Sequence, residues 1–397
     1  MRWTMGDDGI LVLDGARTPV GSFGGAFREV PGFELGAAAA RTALDRARVA
    51  PEDIGEVVMG CIGQVGPDAY NARRVALAAG LPVTTPAYTV NRLCGSGLQA
   101  IWSAASQMRW DGLDFALAGG DESMSRMPFY DFGARSGYRL GDRTLADGTV
   151  MMLTDPFHGV HMGVTAENVA QKYGVSRQEQ DEFAAESQRR AASPGAKAAF
   201  AEEITPVETG GRRSVTVTDD EHPKPGTTVE ALSGLRPAFQ EGGTVTAGNS
   251  SGINDGAAAV VLARESAAAE RGLSGLVRIE AVATAALEPE LMGYAPVPAL
   301  RKLFEKTGTT PSDIDIVELN EAFAAQAVAV VRDAGLDPER TNPYGGAIAL
   351  GHPVGATGAI LTLRAAKHLA RTDKELGIVT MCIGGGQALA ALLRRVA

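Results

Sequence analysis

Residues 90–101 read VNRLCGSGLQAI, and this stretch decides the fold: an apolar strand over Ala87–Val90 gives way to glycines and then to a helix. Gly95, Ser96 and Gly97 let the chain turn sharply, and LQAIWSAASQM behind them has helical periodicity. Cys94 therefore stands where a buried strand becomes a helix. The free amides and dipole of that helix start favour thiolate over thiol, so the position predicts a nucleophile with a lowered pKa. The plainer reading is a small core residue, which is what a lone cysteine in an apolar segment most often is.

The rest of the composition narrows the class. The chain has 397 residues, 45% of them hydrophobic, enough for one large core or two to three domains. A net charge of −10 argues against nucleic-acid or anionic-membrane binding, which needs clustered Lys and Arg. Three dispersed cysteines, Cys61, Cys94 and Cys382, make no disulfide framework, and no cluster has zinc spacing; a reducing compartment and no metal are expected. The start of the chain lacks a signal-peptide pattern, and no run of about 18 apolar residues exists to span a bilayer, so cytoplasmic residence is expected.

Strand and helix alternate from the start. A strand at Ile10–Leu13 is followed by a turn-rich loop and a helix over Phe33–Ala47; Pro51 opens a turn into the strand that ends at Gly60, and a helix covers Asn71–Ala79. A strand at Asp114–Ala118 ends in GGDESMS, read as a loop in which Asp121 and Glu122 are ordinary polar turn residues. From Met124 to Asn249 charge and proline increase around helices at Thr165–Tyr173 and Arg177–Ala192, which reads as an inserted domain. TAGNSSGINDGAAAVVLA (246–263) then supplies a central strand that completes the first half.

The last third repeats the first. PSDIDIVELNEA at 311 echoes PEDIGEVVMG at 51, and GATGAILTL at 355 echoes GSGLQAIWS at 95, the same offset of 260 both times. A duplicated α/β unit predicts two halves packed on each other, with a site where equivalent loops meet. The expected organisation is residues 1–123 plus 250–275 as the N-terminal half, 124–249 as the inserted domain and 276–397 as the C-terminal half. Four loops are expected to converge: those holding Cys94, Asn320 with Glu321, His352, and Cys382. A thiolate nucleophile needs a base and an oxyanion hole, and these loops offer an imidazole, an amide and many free N–H groups.

Six stretches in order, VNRLCGSGLQAI, HMGVTAENVAQKYGVSRQEQDEFA, TAGNSSGINDGAAAVVL, LNEAFAAQA, GGAIALGHPVGATG and CIGGGQALA, cover nearly the whole chain and resemble the thiolase family. The resemblance implies a five-layered αβαβα fold and an acetyl-CoA acetyltransferase working through an acyl-cysteine. It casts Cys94 as nucleophile and His352 as its base. Cys382 becomes the acid/base for the α-carbon, and Asn320 holds a water that joins His352 in the enolate hole. The amides of Cys94 and Gly384 form the acyl-enzyme hole. Ser251, Ala247, Phe239 and Phe323 match coenzyme A contacts, and Lys224 stands where a relative can carry arginine. His161 matches a residue near the thioester oxygen in short-chain members, whereas residues 124–160 and MGYAPVPA at 292 depart from the short-chain pattern. Met162 and Met292 are candidates to cap the acyl pocket, and for Phe239, Phe323 and both methionines the plainer reading is core packing.

The same resemblance implies acyl-CoA and free coenzyme A as partners, no resident cofactor, a role in fatty acid and lipid metabolism, and a homotetramer or homodimer. Two rivals stay open: a degradative 3-ketoacyl-CoA thiolase for longer acyl chains, and a non-catalytic acyl-CoA or lipid-binding relative. A ketoacyl synthase would carry a second histidine where Cys382 stands. A dinucleotide oxidoreductase would need GxGxxG after the first strand.

Overall fold

A computed structural model describes residues 8–210 and 214–396. In the first half, strands and helices alternate as β1 (Ile10–Arg17), α1 (Gly32–Ala47), β2 (Ile54–Gly60), α2 (Asn71–Ala78), β3 (Ala87–Val90), α3 (Ser96–Asp111) and β4 (Phe115–Ser123). The intervening segment carries α4 (Met162–Tyr173), α5 (Arg177–Ala191) and α6 (Pro194–Glu203) before β5 (Asn254–Arg264) returns to the sheet. The second half contains β6 (Val277–Ala286), α7 (Pro296–Thr307), β7 (Ile316–Leu319), α8 (Ala324–Asp333), α9 (Thr357–Thr372), β8 (Leu376–Ile383) and β9 (Gln387–Arg395).

The strand order is β7-β8-β9-β6-β1-β5-β4-β2-β3, with the short strand Gly21–Ser22 added on β5. It is symmetric about its middle. Among the described residues β1 and β6 join through Leu11 with Arg278 and Val12 with Val277, so two sheets meet along a narrow seam. β2 pairs parallel to β4 as β7 pairs parallel to β8, which is the repeat in the sequence seen as topology.

Alternation along the strands explains the layers. Val58, Ala118 and Val260 face inward, where Leu98, Ile101 and Met108 of α3 and Ile360, Leu363 and Leu369 of α9 fill the space against Val379 and Leu389 of the second sheet. Their neighbours Val57, Leu117 and Val261 face outward onto Leu35, Leu44 and Val75 of α1 and α2. On the far side Ile378 and Leu392 pack on Leu300, Leu303 and Val330 of α7 and α8. The result is the αβαβα sandwich that the family resemblance implies, with α3 and α9 as its central layer. Strands buried on both faces read as continuous apolar runs, as here.

Two expectations fail in an instructive way. The segment GGDES is not a loop: β4 runs through it to Ser123, paired with β5 from Asp255 to Ala263, and Asp121 and Glu122 are buried. The glycines mark close approach rather than a turn. A Cβ on Gly120 would sit 2.1 Å from the Gly355 carbonyl, so the segment leading into α9 lies directly on the strand. The bend before α3 is likewise not made by glycine. Leu93 adopts a left-handed φ of 48°, whereas Gly95 has a φ of −81°. Gly97 and Gly358 serve packing instead, for Cβ atoms there would lie 2.8 Å from the Ala359 nitrogen and 2.3 Å from the Leu98 nitrogen. The two central helices thus touch backbone to backbone at their first turns.

Candidate active site

That contact sets where the site lies. Cys94 precedes α3, the turn from His352 precedes α9, Asn320 follows β7, and Gly384 follows Cys382 at the end of β8. The turn before α3 is closed by the Ser96 hydroxyl, which accepts from the Arg92 amide at 2.9 Å and donates to the Leu93 carbonyl at 2.6 Å. Cys94 keeps partial access to a cavity of ≈300 Å³ whose lining is mostly apolar.

Cys94, His352 and Gly384 line this cavity together with His161, Met162 and Met292, and with Phe239, Ala247, Ser251 and Phe323. The two phenylalanines pack edge to face at 5.9 Å, and Phe239 stacks on His161 at 4.8 Å, so both serve wall and core at once. Cys382 and Asn320 are buried behind the cavity surface rather than on it. Lys224 is exposed and outside the cavity; its amide donates to Gln188 Oε1 at 2.9 Å.

Hydrogen bonds fix the histidine tautomers. The Thr357 hydroxyl donates its one proton to the Pro353 carbonyl at 3.0 Å, so it accepts from His352 Nδ1 at 2.6 Å. His352 Nε2 is left as a lone pair, with Asn320 Nδ2 donating toward it at 3.4 Å. The His352 amide donates to Asn254 Oδ1 at 2.9 Å, tying this turn to β5. His161 caps α4, its Nδ1 accepting from the Gly163 amide at 3.1 Å, which leaves Nε2–H as a free donor. Asn320 Oδ1 is buried and has no hydrogen-bond partner among the described residues.

The electrostatics correct the expected low thiol pKa. Burial pushes the Cys94 thiol up to about 11, against the opposing pull of the Gly384 and Cys94 amides, with Glu122 adding to the rise. The helix start cannot overcome this because its leading amides are taken: Gly95 N–H donates to Arg92 and Ser96 N–H to Leu93. Burial also lowers His352 to about 4, and burial together with the neighbouring Cys94 raises Cys382 further still. At neutral pH the resting site holds two thiols and a neutral imidazole.

Sequence reasoning missed several members. Ile62, Met124, Met152, Leu153 and Val354 also line the cavity, drawn from four separate segments with no shared motif. Glu122, taken for a turn residue, accepts hydrogen bonds from the Ile62, Gly63 and Gly355 amides. Among the described residues no His, Cys, Asp and Glu group could hold a metal ion, and no helix is long and apolar enough to cross a membrane.

A thiol between two N–H donors, beside an imidazole lone pair and in front of a second thiol, is suited to acyl transfer with proton movement at the neighbouring carbon. The comparisons agree with that chemistry. The chain is 49% identical to the beta-ketothiolase BktB of Cupriavidus necator over 98% of its own length and 99% of that protein's. The crystal structure of the Bacillus anthracis acetyl-CoA acetyltransferase superposes with a TM-score of 0.96 at 41% identity, covering 98% of this chain and 99% of that one. Human mitochondrial 3-ketoacyl-CoA thiolase in complex with CoA gives 0.94 at 40% identity, covering 98% of each chain. Residues 10–266 match the thiolase N-terminal domain and residues 273–395 the thiolase C-terminal domain, and with both halves accounted for in this way the chain belongs to the thiolase family.

Proposed function

We propose that this thiolase is an acetyl-CoA C-acetyltransferase, interconverting two acetyl-CoA with acetoacetyl-CoA and free coenzyme A. The observation that carries the reading is Cys94 at the cavity wall, with the Gly384 amide and its own amide directed at the sulfur. In the first half-reaction Cys94 Sγ attacks the thioester carbonyl as its proton passes to His352 Nε2. The carbonyl oxygen becomes an oxyanion between the two amides. Collapse expels the coenzyme A thiolate, which takes the proton from His352, leaving acetyl-Cys94.

In the second half-reaction Cys382 removes an α-proton from a second acetyl-CoA. A water held by Asn320 Oδ1 donates to the enolate oxygen, beside the His352 imidazole. The carbanion attacks acetyl-Cys94, the C–S bond breaks, and the proton on Cys382 returns to the Cys94 sulfur. His161, with its Nε2–H free, directs a donor toward the thioester. Phe239, Ala247, Ser251 and Phe323 hold the pantetheine arm, and the exposed Lys224 meets a phosphate of coenzyme A. No resident metal or organic cofactor takes part; coenzyme A thioesters are the substrates. The setting is cytoplasmic fatty acid metabolism, in a homotetramer or homodimer.

One observation favours a second reading, degradative thiolysis of longer 3-ketoacyl chains: Met124, Met152 and Leu153 give the cavity further apolar walls. Thiolysis of acetoacetyl-CoA beside a ten-carbon 3-ketoacyl-CoA, with Cys94→Ala as control, decides between them. Preference for acetoacetyl-CoA supports the acetyltransferase, and preference for the longer substrate overturns it. Turnover of neither leaves a non-catalytic acyl-CoA-binding protein.

A further inference from the structure

Glu122 is 1% exposed, close to the reacting groups, and idle in the chemistry above. Its Oε2 accepts the Ile62 and Gly355 amides, both at 3.0 Å, and its Oε1 accepts the Gly63 amide at 2.9 Å, with the Cys61 thiol donating at 3.7 Å. Four donors converge on one side chain, and among the described residues it donates to no acceptor. An ionised carboxylate is acceptor-only with about four lone-pair sites, so no other side chain of this size answers the set. The backbone is shaped to the same end: Cβ atoms on Gly355 and Gly63 would lie 2.6 Å and 2.9 Å from its oxygens.

Both tethered segments reach the site. Ile62 and Val354 are cavity walls, and Gly355 lies three residues past His352 in the turn that aims the imidazole. That turn is pinned at three points: the His352 amide on Asn254, the Gly355 amide on Glu122, and His352 Nδ1 on Thr357. Two of the three pins come from the other half of the molecule. Glu122 itself does not line the cavity.

We infer that Glu122 is a positioning residue, its carboxylate bridging the loop after β2 to the histidine turn of the second half so that His352 Nε2 is held in register with Cys94. This rests on the acyl-transfer reading above. Burial pushes Glu122 up to about 7 against the pull of the Gly63, Ile62 and Gly355 amides, and a buried carboxyl group is a costly way to staple two loops if stability is all that is required. What it supplies is a fixed distance between groups that arrive on different sheets.

The test is Glu122→Gln in the full chain, which keeps the volume but turns an N–H toward a donor. The expected result is a kcat for acetoacetyl-CoA thiolysis lower by about 10²-fold, the loss typical of a misplaced catalytic group, with KM for coenzyme A and the melting temperature near those of the unmodified protein. A double-mutant cycle supplies the readout a structural role would not move: in a His352→Ala background, Glu122→Gln adds no further loss to single-turnover acylation of Cys94. Glu122→Asp, too short to reach both loops, gives the same pattern if the glutamine variant does not fold. Unchanged kcat, or equal and additive losses in both backgrounds, overturns the positioning role alone. Absence of turnover in the unmodified protein overturns the acyl-transfer reading and this inference with it.

Discussion

Alkylation of Cys94 across pH separates two descriptions of the nucleophile. A preformed thiolate–imidazolium pair reacts at a rate that levels off below about pH 7, because the thiolate is already present. The structure describes a neutral pair, with the thiol at about 11 and the imidazole at about 4, both moved by burial. A free cysteine near 8.5 is roughly 3% thiolate at pH 7; a thiol at about 11 is roughly 0.01% thiolate, some 300-fold less. The iodoacetamide rate at Cys94, followed by mass spectrometry on the labelled peptide, is therefore expected to climb close to tenfold per pH unit from about pH 6 to about pH 9.5 without levelling. The Cys382→Ser protein removes ambiguity about which thiol is read. A plateau below about pH 8 refutes the argument, for it shows that the two amides outweigh burial.

Two further outcomes are expected. Cys382→Ser keeps acetylation of Cys94 by acetyl-CoA, read as a mass increase of the intact protein, but carbon–carbon bond formation collapses; equal loss of both half-reactions contradicts the division of labour. Glu318 on β7 is fully buried, neither oxygen has a hydrogen-bond partner among the described residues, and the Arg364 guanidinium is 3.9 Å away. Burial raises it to about 8, so its stabilising contribution is complete below the unfolded value near 4.5 and is lost as pH climbs through about 8. Glu318→Gln cannot ionise, and its stability relative to the unmodified protein is expected to improve across that window by at most ~1.4 kcal/mol per pH unit. Melting temperatures of the pair from about pH 5 to about pH 8.5 check it, and a difference that does not change with pH excludes it.

The sequence displayed whatever is local or periodic. Helix α1 was legible from alanine spacing, the β2 and β7 strands from Pro-Asp-Ile starts, and the shared topology of the halves from the constant offset between residues 51 and 311 and between 95 and 355. What stayed hidden depends on which backbone lies across which. GGDES has the composition of a turn, and only its pairing with β5 and the weight of Gly355 upon Gly120 make it a strand. Leu93 carries no mark of a left-handed turn, because the surrounding hydrogen bonds impose it. The thiol pKa was misjudged for a related reason. A helix start was visible in the sequence, but the prior use of its amides by Arg92 and Leu93 was not, nor was the depth of burial.

Burial explains why the site is built from neutral groups. An enolate or tetrahedral oxyanion is stabilised best where preorganised donors meet it away from water, and two sheets closing over the first turns of α3 and α9 provide such a place. The same exclusion of water holds both thiols protonated and the imidazole neutral. No charge separation can wait there at rest, so each proton has to move as a bond to carbon forms or breaks. In the proposed reaction the thiol gives up its proton as sulfur meets the carbonyl, and the charge lands on an oxygen facing amides. Such coupling tolerates little slack between Cys94 on one half and His352 on the other. The fold meets this with the backbone contact of Gly97 and Gly358 and with the amides gathered on Glu122, both of which join the halves within a few residues of the chemistry.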